Sequence, residues 1–397
     1  MSGLAIGVRL ARAQARSFGA DDERALREAE AHKELGFYYR NLGSWIDADA
    51  AYRMARDVLA RIMGPGSPGH FREEMASIQT NWAYLKALRG AFREARNLVD
   101  SAIAVRKRFS SRQLVGNSLS VSGEVYRYEA NFARAWATYL EAEAIFQETK
   151  SWPWLGMLYQ EMAICLHQAG RERLVLAQNV DNVEDQADVA LELIERSLDI
   201  CRDFNVRAYP SALNRAGRIL AGAGRVDVGL QHLDEGIREA VRLGDGWLSS
   251  ANNIEYVEHA YRAWTDTGQG RYRVLVDERR SQLAAVVDTY RFRDIAARWE
   301  LLQGHLITTD ALQTGDTSDL DTAIAHYSTG FQILSDESVG SHGSAAIARE
   351  FERFRELFDR LPREIQRNWY TRLSDDWNAE DPPEQSTSLL ARLEELY

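Results

Sequence analysis

Residues Gly123–Phe146 read GEVYRYEANFARAWATYLEAEAIF, and the reading of this stretch decides the fold. A Gly-x-x-Tyr segment, Gly123 to Tyr126, comes first. A short polar turn at Glu129-Ala130-Asn131 follows, and then Ala135, Tyr139 and Ala142. A small residue, a large apolar one four positions on, and a small one three further fall on a single stripe of a helix. The small residues admit a neighbouring helix to close range, and the large one fills the gap. The same spacing occurs upstream at Ala48/Tyr52/Ala55 and Ala95/Val99/Ala102. Downstream it returns at Ala190/Ile194/Ser197, Gly229/Leu233/Gly236 and Ala323/Tyr327/Gly330. One helix contact is repeated in register along the chain.

The earliest copy is the fullest. Leu35-Gly36-x-x-Tyr39 forms a first helix, Gly43 ends it in the left-handed conformation that glycine tolerates, and Trp45 opens the second helix. Gly90 with Phe92, and Ala130 with Phe132, repeat this turn, and Asn131 is the candidate for the left-handed residue of the third. From turn residue to small residue is five positions in all three copies. This pattern of Leu-Gly, Tyr and Ala-x-x-x-aromatic resembles the tetratricopeptide repeat, in the long-repeat form found in sensor regions of bacterial regulators. Turn residues Gly43, Gly90, Ala130 and Gly170 lie 47, 40 and 40 positions apart, against about 34 for a minimal repeat. The resemblance implies an all-α, right-handed superhelical solenoid of about six to eight antiparallel helix pairs.

Bulk properties agree. A chain of 397 residues suits a solenoid that grows by repeats better than one compact core. The net charge of −11 argues against a nucleic-acid or anionic-membrane surface as the primary partner. No apolar run approaches a membrane span, the N-terminus shows no signal-peptide core, and Cys165 and Cys201 form no disulfide framework. A cytoplasmic setting is expected.

Residues 1–20 read as an N-terminal lead-in helix, with Arg9, Arg12 and Arg16 on one face. Helical repeats are expected over 21–334. The fourth is interrupted: Ala190 follows Gly170 by twenty positions instead of five, which puts an insertion near 171–186. The sixth, around Asn252 to Val287, is degenerate. Residues 335–397 read as a loop followed by C-terminal capping helices, with stripes at Ile347/Phe351/Phe354/Phe358 and Ile365/Trp369/Leu373/Trp377. A terminal cap closes the open apolar end of a repeat stack.

Residues with chemical potential are sparse. Glu255-Tyr256-Val257-Glu258-His259 comes near a zinc-binding helix but has Glu where the first His is needed. Cys165 sits mid-helix among apolar residues and reads as core. The Gly64–Gly69 segment lacks the Lys-Ser/Thr of a phosphate loop and reads as a turn between repeats. No catalytic group, metal site or cofactor is expected, and the chain reads as a non-enzyme.

In the family it resembles, first helices of successive repeats line a concave groove. By register that groove would hold Lys33, Phe37, Arg40 and Asn41, then Thr80 and Tyr84. Asn117, Ser120, Glu124, Arg127 and Tyr128 would follow, and then Gln160, His167 and Gln168, with Asn214 and Arg218 last. Amides, arginines and rings suit an extended peptide: amides pair with its backbone, arginines with carboxylates, rings with apolar side chains. Arg127 in particular is expected to stand exposed there. The expected function is a scaffold that binds a protein or peptide segment in this groove, with no direct nucleic-acid or membrane partner. The alternative is a structural adaptor or homo-oligomer subunit that packs through its convex face or cap.

Overall fold

The computed structural model describes residues 22–41, 43–64, 67, 69–169, 183–290, 292–335, 341–377 and 393–394. The expected lead-in helix at 1–20, turn residue Gly170, and residues 171–182 of the insertion lie outside them. The described residues are helical, with no strand among them. They divide into two units, Met1–His259 and Ala260–Tyr397.

In the first unit, α1 (Asp22–Asn41) packs along α2 (Trp45–Ile62), and α3 (Gly69–Leu88) along α4 (Phe92–Phe109). The pairs α5 (Arg112–Tyr128) with α6 (Phe132–Glu148), and α7 (Trp152–Ala169) with α8 (Val183–Phe204), follow. Then come α9 (Tyr209–Gly222) with α10 (Val226–Arg242) and the start of α11 (Gly246–Thr267). First helices of neighbouring pairs also touch, α1 with α3, α3 with α5, α5 with α7 and α7 with α9, so they share one face.

The repeated stripe is what holds each pair. Ala48, Tyr52, Ala55, Ala95, Val99, Ala102, Ala135, Tyr139 and Ala142 are all fully buried. Tyr52, Tyr139 and Leu233 lie on glycines of their partner helices: a Cβ at Gly36 would come within 2.7 Å of the Tyr52 ring, one at Gly123 within 2.3 Å of Tyr139, and one at Gly217 within 2.5 Å of Leu233. Gly217 and Gly229 bring two backbones together, since a Cβ on Gly229 would meet the Gly217 carbonyl at 2.6 Å. Only glycine allows that approach.

The turns inside the first, second, third and fifth pairs are the same hydrogen-bonded device. Ser44 N donates to Tyr39 O (2.9 Å) while Gly43 N donates to Arg40 O (3.0 Å). Ala91 and Gly90, Asn131 and Ala130, and Arg225 and Gly224 repeat the arrangement, so the last carbonyls of these four first helices are satisfied before the chain reverses. In the third pair the left-handed residue is Ala130 (φ 59°), not Asn131 as its residue type suggested. Asn131 instead caps α6, its side chain accepting from Arg134 N at 3.3 Å. An N-cap needs a side-chain acceptor, and that demand claims the asparagine.

In the second unit, α12 (Gly270–Tyr290) buries Tyr272, Val276 and Leu283 and shows no small-large-small stripe. The pair α13 (Arg293–Thr314) and α14 (Leu320–Ser335) restores it, with Tyr327 over Gly304. Helices α15 (Ser341–Phe358) and α16 (Arg363–Trp377) lay Phe351, Phe354, Phe358, Trp369 and Trp377 against Tyr327 and Phe331. Apart from Ile347, whose side chain lies outside the described residues, the expected C-terminal stripes thus join one largely aromatic cluster on the last pair.

Candidate ligand-binding face

The face shared by the first helices holds a ladder of polar and aromatic side chains. At its start, Lys33 pairs with Glu74 on the next first helix at 2.8 Å. The guanidinium of Arg40 lies 4.8 Å from the ring centres of both Phe37 and Tyr84, and reaches the Asn41 amide oxygen only at 3.4 Å. Tyr84 in turn stands 6.1 Å ring to ring from Tyr128. This brings Phe37, Arg40, Tyr84 and Tyr128, from three successive first helices, to one place.

Deeper in the ladder the charges are already paired. Arg127 is 6% exposed, and donates to Glu161 Oε2 (2.9 Å) and Gln168 Oε1 (3.0 Å). Glu161 also takes Arg215 at 2.5 Å, so a single carboxylate on α7 ties α5 to α9. Gln160, 1% exposed, accepts from Arg215 (2.6 Å) and Ser211 (3.2 Å). The expectation of an exposed Arg127 is therefore corrected: its neighbours on α7 supply an internal carboxylate and cover it. Thr80 is buried as well, 3.0 Å from Ser118 and donating to Ala76 O. Asn117 is occupied in holding the buried Arg106, whose guanidinium donates to its amide oxygen at 3.0 Å. Ser120 is half-buried on the same helix.

Glu124 has a different character. Burial, and then the nearby Glu161 carboxylate, push its pKa up to about 8 against the pull of Arg127, Arg215 and Arg40. Its surroundings favour the neutral carboxyl over the carboxylate. Further along, Asn214 donates to Asn252 at 3.4 Å and Arg218 lies 3.6 Å from Glu255. His167 abuts Gly222, and desolvation by the surrounding helices together with the Arg218 cation lowers its pKa to about 4. Glu255 also faces His259 at 3.5 Å, so the motif that came near a zinc helix lies in a chain of polar contacts with Arg218. Cys165 is fully buried, with its thiol pushed up to about 12 by desolvation.

Two members of the ladder, Glu161 and Arg215, do not follow from register alone. The signal was nevertheless present: Gln160-Glu161 interrupts an otherwise apolar helix, and a carboxylate buried there needs a cation. Asp49 is a second case, buried on α2 and accepting from Trp82 Nε1 (2.8 Å) and Lys86 (2.9 Å). Burial works to raise its pKa, but those hydrogen bonds and the Lys86 charge hold it below the usual carboxylate value.

No protein-family model matches the chain, and no curated protein matches it in sequence. Among solved structures it is similar to a Rap protein complexed with competence and sporulation factor, with a TM-score of 0.58 and 10% identity over 98% of this chain and 99% of that one. It is similar also to aspartyl phosphate phosphatase F from Bacillus subtilis, with a TM-score of 0.50 and 12% identity over 81% of this chain and 74% of that one. A signal-transduction ATPase with a tetratricopeptide repeat sensor from Pyrococcus horikoshii aligns at a TM-score of 0.48 and 14% identity, covering 92% of this chain and 55% of that one. At such identities the likeness speaks for the fold. With the repeated turns and buried stripe, it makes this a tetratricopeptide-like helical-repeat fold. No described helix is long and apolar enough to cross a membrane.

Proposed function

We propose that the chain is a non-enzymatic scaffold that holds a protein or peptide segment on the first-helix face of its first unit, as the sensor part of a bacterial signalling or defence regulator. Arg40 is the observation that carries this reading. Its guanidinium is held between Phe37 and Tyr84, and no carboxylate among the described residues pairs with it. A guanidinium flanked by rings keeps its in-plane N–H donors available for a carboxylate, while the rings offer apolar contact beside it. The Rap protein of the same fold that was crystallised with competence and sporulation factor supports a binding role for this architecture.

The test starts with a pull-down and mass spectrometry to obtain the partner. Calorimetry then compares Arg40→Ala with Leu140→Ala, an exposed change on a second helix. Losing a charge-assisted hydrogen bond costs about 1.5–3 kcal/mol, so Arg40→Ala should weaken binding roughly ten- to a hundredfold. Unchanged affinity for that variant, with Leu140→Ala weakened instead, would move the site to the outer face and favour the adaptor reading.

A further inference from the structure

A second surface lies on the edge of the first unit where each second helix hands over to the next first helix. Phe109, Trp152, Phe204, Val206, Val241 and Trp247 are all exposed, and all sit at four successive connections of this kind. On the opposite edge, among the described residues, Ile46 is the exposed large apolar side chain. Exposed apolar residues scattered singly need no explanation, but a row confined to one edge marks an interaction surface. The row is locally continuous: the Trp152 and Phe204 rings are 6.5 Å apart, at 38% and 56% exposure. Beside Trp152 lies a shallow recess of about 530 Å³, lined by Leu155, Tyr159 and Ile200 together with Gln147, Arg196 and Asp199. It has room for a bulky side chain.

The charge on this edge is opposite to that of the chain. Glu148 is taken by Arg112 at 2.7 Å and Asp199 by Arg202 at 3.3 Å. Lys107, Arg108, Lys150 and Arg207, on the same connections, have no carboxylate partner among the described residues, and they outnumber the remaining carboxylates there, the exposed Asp203 and Asp245, which caps α11. A protein of net charge −11 thus presents an aromatic and basic edge.

We propose that this edge docks an acidic amphipathic segment of a partner protein, with a bulky apolar side chain in the recess beside Trp152 and carboxylates on Lys150 and Arg207. Charge decides the occupant. A second copy apposing the same edge would set an excess of cations against an equal excess, whereas an acidic partner neutralises it. The net charge of −11 disfavours an anionic bilayer. The surface is separate from the first-helix face, so either can fail without the other.

The probe is a synthetic amphipathic peptide with Leu and Phe on one face and Glu flanking it; its control carries Lys in place of Glu. Binding is read by tryptophan fluorescence and calorimetry on the whole chain. The Glu peptide should bind and the Lys peptide should not, with affinity falling as salt rises. Trp152→Ser combined with Phe204→Ser should lose at least about tenfold in affinity, as expected for removal of central aromatic anchors. Lys150→Glu with Arg207→Glu should weaken binding and flatten its salt dependence. Both double variants alter exposed side chains, and an unchanged thermal melt confirms that they fold. Equal binding of the two peptides, or no effect of either variant, overturns the proposal. So does self-association of the unmodified chain by sedimentation that Trp152→Ser abolishes, which makes a second copy the occupant. Binding to phosphatidylserine–phosphatidylcholine vesicles without binding of the Glu peptide overturns it in favour of a lipid surface.

Discussion

The ring of Tyr139 packs directly against Gly123: a Cβ built at 123 would fall 2.3 Å from its Cε1 atom. Tyr139 is fully buried, and the ring is wedged between α5 and α6 with no free side to move to. Gly123→Ala should therefore destabilise the protein by about 1–3 kcal/mol through overpacking. Helix propensity alone would favour alanine by up to about 1 kcal/mol. Urea denaturation reads the sign, and a stabilised Gly123→Ala variant would mean that the two helices are set further apart.

Ala130 holds φ 59°, a conformation in which an L side chain crowds its own carbonyl. Nothing else about the turn requires a methyl group, since Gly43, Gly90 and Gly224 form the same turn without one. Ala130→Gly should stabilise by about 0.5–1 kcal/mol, relief of strain outweighing the greater freedom of the unfolded glycine. A rise in melting temperature is the expected readout.

Arg127 and Arg40 should separate folding from binding. Removing Arg127 leaves Glu161 buried with only Arg215 to pair it, so Arg127→Ala should cost stability near the lower end of about 3–5 kcal/mol. Arg40 is half-buried and carries no internal ion pair, so Arg40→Ala should leave the urea midpoint nearly unchanged. Equal destabilisation by the two variants would contradict this division.

Glu124 should make stability fall with alkali. Its folded pKa is raised to about 8 from a usual value of 4.5, so the folded state binds its proton more tightly than the unfolded chain does. The stabilisation is fully present below pH 4.5 and is lost as pH rises through about 8. His167 acts in the opposite sense, but only between about pH 4 and 6.5, where the unfolded chain binds the proton and the folded one does not. Denaturation midpoints from pH 6.5 to 8, below the range in which the cysteines titrate, should therefore decline in the native chain and stay level in Glu124→Gln.

The repeat architecture was legible because its contacts are local. Ala135, Tyr139 and Ala142 meet the preceding helix across one turn, and the spacing of such residues states both the helix and its buried stripe before any long-range contact is known. The same holds for Gly43 and Gly90, whose left-handed backbone follows from residue type. Ala130 escaped because alanine shows no preference for that conformation, and Asn131 was claimed by the helix cap.

Position on the shared face followed from register, whereas accessibility did not. Register placed Arg40 and Arg127 together, with nothing to tell them apart. Only the tertiary structure put Glu161, thirty-four residues away in sequence, against Arg127 and left Arg40 between two rings. The physical reason is range. A helix stripe is set by neighbours three and four residues apart, but which charge finds a partner depends on how each pair is rotated against the next, and no local pattern encodes that rotation.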